Sequence, residues 1–187
     1  MNSDPVDRIN SYAVVAYIPE PFSSFLDGLR KELVSDCAAR VHLTILPPRP
    51  LSGPVDLALE HVCETAAALE PFEVQLEDVE VFPMSDVIYL AVGEGRVRLH
   101  QMHAAFNSGG LKFREEYNYH PHITLAQSLQ SDQVDELSRV ARDRWAQFKR
   151  GRRWRVDKLT FVQNTRRNRW VDLADCALGA KRVPSLA

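Results

Sequence analysis

The chain spells one five-element unit twice, and that repetition limits its possible folds more than any other feature. Residues 12–18 (YAVVAYI) have the Val, Tyr and Ile content of a buried strand. Phe22, Phe25, Leu26, Leu29 and Leu33 then recur at the spacing of one helical face. Residues 40–46 (RVHLTIL) form a second strand, which Pro47, Pro48 and Pro50 should stop because proline cannot donate to a ladder. Val55, Leu59, Val62, Ala66 and Leu69 mark a second helix, and residues 72–82 (FEVQLEDVEVF) alternate as a half-buried strand does. The second half follows the same order: strand 87–92, helix 97–106, strand 119–126 (YHPHITLA), then a helix with Val134, Leu137, Ala141, Trp145 and Phe148 inward and Ser131 as its cap. Residues 154–163 and 170–178 read as a closing hairpin around the basic loop 164–168.

The spacings agree between the halves. Tyr12 lies 30 residues before His42 and Ile88 lies 34 before His122, while Phe72 and Trp154 follow those histidines by 30 and 32. The expectation is a single α+β domain over the 187 residues. It is bilobal, with two β-α-β-α-β repeats about a pseudo-two-fold axis and a central cleft between lobes at about 12–83 and 87–178.

Each repeat carries a His-x-Thr triplet at the same place, His42 to Thr44 and His122 to Thr124. Side chains two apart on a strand share a face, about 7 Å apart, so each His and Thr point together while Leu43, Ile45, Ile123 and Leu125 point into the core. One such triplet has a simple explanation in a wet sheet face. Two at equivalent positions supply two imidazoles that titrate near neutrality and two hydroxyl donors facing one cleft. That set suits in-line displacement at phosphorus: one imidazole takes a proton, the other gives one, and the threonines bind non-bridging oxygens. Such a scheme calls for no metal and no cofactor.

The triplets, within VHLTILPP and YHPHITLA, resemble the 2H phosphoesterases, the superfamily of 2′-5′ RNA ligases and RNA 2′,3′-cyclic phosphodiesterases. The resemblance runs from Tyr12 to Leu178 and implies a bilobal fold with a central cleft. It implies metal-independent phosphodiester chemistry with His42, Thr44, His122 and Thr124 as catalytic residues, His122 as base and His42 as acid in hydrolysis. The implied reaction opens 2′,3′-cyclic phosphates at RNA ends to 2′-phosphates, with 2′-5′ joining when a 5′-hydroxyl replaces water. A small cyclic nucleotide as substrate and an RNA-binding module with little turnover are the alternatives.

Other residues are open to two readings. His120 shares the face of His122 and either touches substrate or sits at the strand's frayed start. Its alternation with His122 superficially suggests a histidine-triad nucleotide hydrolase, but Thr124 takes the third position and His42 stays unexplained. Tyr12, Tyr117 and Tyr119 either line the cleft or pack, and Arg49 either approaches phosphate or stays an exposed loop arginine. His61, His100 and His103 fall in helices without a matching ligand set.

The net charge is only −2, yet the segment from Arg139 onward has 14 Lys and Arg against 4 Asp and Glu. The preceding residues have 9 against 21, and the split hints at an anionic partner for the C-terminal third. Within that third, residues 149–155 (KRGRRWR) and 164–169 (NTRRNR) are dense in arginine. Trp154 and Trp170 should be largely buried, leaving Arg166, Arg167 and Arg169 as candidate RNA contacts. Cys37, Cys63 and Cys176 are odd in number and far apart, which argues against a disulfide framework or a thiolate zinc site. The polar opening stretch MNSDPVDRINS and the lack of an apolar run of about 18 residues make a cytoplasmic protein the default. Nothing calls for a membrane or an obligatory protein partner, and a monomer is expected.

Overall fold

A computed structural model of the chain describes residues 7–180 apart from 36 and 38. The first six residues of the polar opening stretch lie outside the described residues. Eight strands and four helices follow in the order β1 (Arg8–Tyr17), α1 (Phe22–Leu33), β2 (His42–Arg49), α2 (Val55–Ala67), β3 (Phe72–Val81), β4 (Ile88–Val92), α3 (Arg96–Phe106), β5 (His122–Ala126), α4 (Val134–Gln147), β6 (Arg153–Val156), β7 (Lys158–Thr165) and β8 (Trp170–Ala177). They form two antiparallel four-stranded sheets, ordered β2-β1-β7-β8 and β5-β4-β3-β6. The α+β, two-lobed expectation holds, with both histidine-bearing strands at equivalent sheet edges.

The halves exchange strands. β3, expected with the first lobe, pairs with β4 and β6 in the second sheet. The expected strand 154–163 is two strands that part at Asp157: β6 stays beside β3, while β7 crosses into the first sheet between β1 and β8. The reason lies in the alternation, because Trp154 and Val156 are buried before the break and Leu159 and Phe161 after it. The buried face therefore changes parity at Asp157. The helices cross as well, α1 packing on β5 and α4 and α3 on β2 and α2, so one continuous core runs through both lobes.

Three local expectations change. β2 continues through Pro47 and Pro48 to Arg49, which an edge strand tolerates because one of its sides has no ladder to feed. Ser131 does not cap α4, since its hydroxyl donates to Asp86 Oδ2 at 2.8 Å and the helix starts at Val134 after Gln133. Cys63 of α2 and Cys176 of β8, 113 residues apart, form a disulfide because α2 packs directly on β8.

Candidate active site

The first sheet has two unlike faces. Val14, Ala16, Leu43, Ile45, Leu159 and Phe161 fill the core. The opposite face shows His42 paired with Tyr17 and Thr44 paired with Val15 across β1 and β2. Ala13, Val15 and Val162, flanked by Tyr17 and Trp170, make a dry floor on that face. In the second sheet, Thr124 stands opposite Tyr89 and His122 opposite Ala91, on the face away from buried Ile123 and Leu125. Period-two alternation thus turns both His-Thr pairs away from the core, and β2 packs against β5.

The two imidazoles are anchored in the same manner. His42 Nδ1 bonds the Arg40 carbonyl oxygen at 2.8 Å, and His122 Nδ1 bonds the His120 carbonyl oxygen at 2.6 Å. A carbonyl can only accept, so each Nδ1 carries the hydrogen and each Nε2 is the atom left to exchange a proton. Upstream of His42, Asp27 Oδ1 accepts from the Val41 N–H at 2.9 Å and Arg30 Nη1 donates to the Ala39 carbonyl at 2.6 Å. Helix α1 thereby fixes the entry into β2.

Burial pushes both imidazole pKa values below 6.5, because the cation is poorly solvated there. For His42 the Arg40 carbonyl raises the value again, the Arg30 charge lowers it and the Asp27 charge raises it. For His122 the His120 carbonyl raises it, while positive charge on His120 and on His42 lowers it. The two triplet histidines therefore sense each other, and protonation of one disfavours protonation of the other.

The surroundings of the two histidines differ. His122 and His120 stand edge-on to the stacked Phe82 and Tyr89 rings, with centroids 5.1 to 5.6 Å away. The Tyr89 hydroxyl donates to Glu80 Oε2 at 2.6 Å. On the other side, the Arg40 guanidinium lies 4.0 Å over the Tyr17 ring and the Tyr17 hydroxyl donates to Asp172. Arg155, Lys158 and Asp175 complete a cavity of about 250 Å³ there. Among the charged residues around this cavity, only Arg155 fell within the basic segments the sequence marked for an anionic partner. Tyr17 and Tyr89 were legible in principle, as polar-tipped residues within the otherwise apolar first strand of each repeat.

Several expected contacts lie elsewhere. His120 does sit beside His122, with ring centroids 6.3 Å apart. Arg49 is neither exposed nor near the triplets: only 2 % exposed, it donates to Asn107 Oδ1 at 2.8 Å and pairs with Glu115. Its position at the end of β2, beneath the 107–115 loop, buries it. Tyr119 stacks on His103 and donates to the Thr44 carbonyl, so its hydroxyl is engaged with backbone. Tyr12 packs on Phe161, and Tyr117 is exposed. Trp154 is buried as expected, whereas Trp170 is half-buried on the dry floor. Arg166, Arg167 and Arg169 are exposed in the β7–β8 turn. That turn adjoins Arg8, nine residues along β1 from Tyr17, or roughly 30 Å of strand. The turn arginines are thus remote from His42. Among the described residues, no group of three or more His, Cys, Asp or Glu is placed to hold a metal ion, and no helix is long and apolar enough to cross a membrane.

The family model of the 2′-5′ RNA ligase superfamily matches residues 18–168. The chain belongs to that superfamily. A Bacillus licheniformis protein bearing the provisional name phosphoesterase is 27% identical over 129 residues, 67% of this chain and 76% of its own length. A similarly named Halalkalibacterium halodurans protein is 28% identical over 109 residues, 53% of this chain and 63% of its own. Among solved structures, E. coli LigT complexed with 3′-AMP has a TM-score of 0.61 at 18% identity, covering 92% of this chain and 98% of that one. A Thermus thermophilus protein has a TM-score of 0.58 at 16% identity, covering 91% and 99%. The fold of this superfamily member is thus the two-lobed one of LigT, and its family chemistry is that of a phosphoesterase.

Proposed function

We propose that this superfamily member is a phosphodiesterase that opens 2′,3′-cyclic phosphates, with RNA ends as its substrate class, to 2′-phosphates. The observation that carries the reading is the pair of Nδ1-anchored imidazoles on facing edge strands, each beside a threonine of its own triplet. His122 acts as base, taking a proton at Nε2 from the water that attacks phosphorus. His42 acts as acid, giving its Nε2 proton to the leaving 3′-oxygen as the P–O3′ bond breaks. Thr44 and Thr124 hydroxyls donate to the non-bridging oxygens, on which negative charge builds. The charges of His120 and His42 favour a neutral His122, the state a general base requires. A 5′-hydroxyl in place of water leads to 2′-5′ joining by the same proton transfers.

Arg166, Arg167 and Arg169 would meet only the distal phosphates of a longer RNA. Arg40, Arg155 and Lys158, around the cavity beside Tyr17, are the cations nearer the reacting end. The deciding experiment incubates the protein, in excess chelator, with 2′,3′-cyclic mononucleotides and with an oligoribonucleotide ending in a 2′,3′-cyclic phosphate. Ring opening to the 2′-phosphate is expected on the oligonucleotide. Opening of mononucleotides alone would make a small nucleotide the substrate, and binding without opening of either would leave an RNA-binding module.

A further inference from the structure

Nothing in the sheet ladders sets the gap between the two His-Thr pairs. β2 and β5 are edge strands of different sheets, so packing and side-chain contacts between them, not a ladder, set their separation. Tyr119 makes one such contact. It lies three residues before His122, and its hydroxyl donates to the carbonyl oxygen of Thr44 at 2.8 Å. One hydrogen bond thus joins the approach to one triplet with the backbone of the other.

The Tyr119 ring is braced in turn. It stacks on the His103 imidazole at 4.2 Å with the planes 7° apart, and the His100 ring meets it edge-on at 5.4 Å. His103 Nε2 bonds Glu115 Oε1 at 2.8 Å, and the same carboxylate pairs with buried Arg49. Arg49 also donates to the carbonyl oxygens of Pro47 and Leu111 at 2.9 and 3.2 Å. This chain of contacts starts at the end of β2, runs through α3 and the 107–115 loop, and returns to β2 at Thr44. Burial, and secondarily the Glu115 charge, keep the Tyr119 hydroxyl protonated and therefore a donor.

We propose that Tyr119 is a positioning residue, a strut braced through His103 and Glu115 on Arg49 that holds the two His-Thr pairs at the spacing in-line transfer requires. The proposal rests on the two-histidine reading above. Misplacing a reacting group by about 1 Å costs on the order of 10²-fold in rate. Tyr119→Phe keeps the stack and removes the bond, so kcat on a 2′,3′-cyclic nucleotide should fall about tenfold or more. KM should stay within about twofold, since uniform binding is untouched. Glu115→Gln, which can still bond both His103 and Arg49, should retain more kcat than Glu115→Ala. The double variant Tyr119→Phe with Glu115→Ala should be little worse in kcat than Tyr119→Phe alone, because both changes act through one bond.

A parent-like kcat in Tyr119→Phe overturns the proposal. So does a loss confined to KM, which would return Tyr119 to the substrate. A substrate-free readout separates this from failure of the functional reading: imidazole ¹⁵N titration of His42 and His122 in parent and Tyr119→Phe. The variant should weaken the mutual influence of the two histidines on each other's titration, even if the parent opens no cyclic phosphate. Unchanged titration curves overturn the strut.

Discussion

His42 Nδ1 is bonded to the carbonyl oxygen of Arg40, two residues back along the chain, and the ring is thereby turned with Nε2 outward. The His122–His120 contact repeats this arrangement. Removing either ring should therefore remove a proton-transfer group while leaving the sheets intact. His42→Ala and His122→Ala are each expected to lower kcat by about 10² to 10⁴ on a cyclic phosphate while unfolding cooperatively near the parent Tm. Thr44→Val and Thr124→Val remove one donor each and should lose up to about 10²-fold to 10³-fold. Near-parental turnover by both histidine variants on every substrate the parent opens would end the two-histidine mechanism.

The pH dependence follows from the direction of the imidazole shifts. One ring must be neutral and the other charged, so kcat/KM should trace a bell that persists in chelator, its limbs belonging to the pair. Because burial lowers both values, the optimum should lie on the acidic side of that expected for two imidazoles of pKa 6.5. Stability has a matching sign. Between the lowered folded values and 6.5 the unfolded chain binds more protons than the folded one, so unfolding becomes easier as pH falls through that window. Well above 6.5, where both states are unprotonated, these two groups contribute no slope. Urea unfolding of parent and His42→Ala from pH 7.5 downward checks this, with a shallower decline expected in the variant.

The turn arginines should matter only for long substrates. Changing Arg166, Arg167 and Arg169 together to Gln is expected to leave kcat and KM for a cyclic mononucleotide unchanged. For an oligoribonucleotide the same variant should raise KM and flatten its salt dependence, by a slope near 0.7 per lost phosphate contact. Identical oligonucleotide kinetics at low and high salt would remove these residues from the RNA path.

The Cys63–Cys176 bond ties α2 to β8 across 113 residues of chain. On the chain-entropy view, a loop of that length stabilises the fold by about 4 to 5 kcal/mol. Cys63→Ser with Cys176→Ser should lower the urea midpoint clearly and raise the denaturant slope, because the unfolded chain without the cross-link is more expanded. A midpoint equal to that of the oxidised parent would show that the bond adds nothing to stability.

What the sequence determined by itself was whatever depends on near neighbours. Period-two alternation in HLT and HIT turns each His and Thr to one face and Leu43 or Ile123 to the other, and apolar spacing places the helices within a residue or two. Repetition of the unit then implied two lobes. The tertiary structure alone decided which strands are partners, because a strand's own pattern says how it is buried but not beside what. That is why β3 and β7 change sheets, although the parity slip at Asp157 was already written in the residues around it. It also decided the fate of side chains with long reach. Arg49 and Tyr119 look from sequence like groups for a phosphate or a base, and distant partners, Glu115 for one and the Thr44 carbonyl for the other, draw them into the structure. Cys63 and Cys176 follow the same logic: their separation along the chain argued against pairing, and the packing of α2 on β8 brings them together.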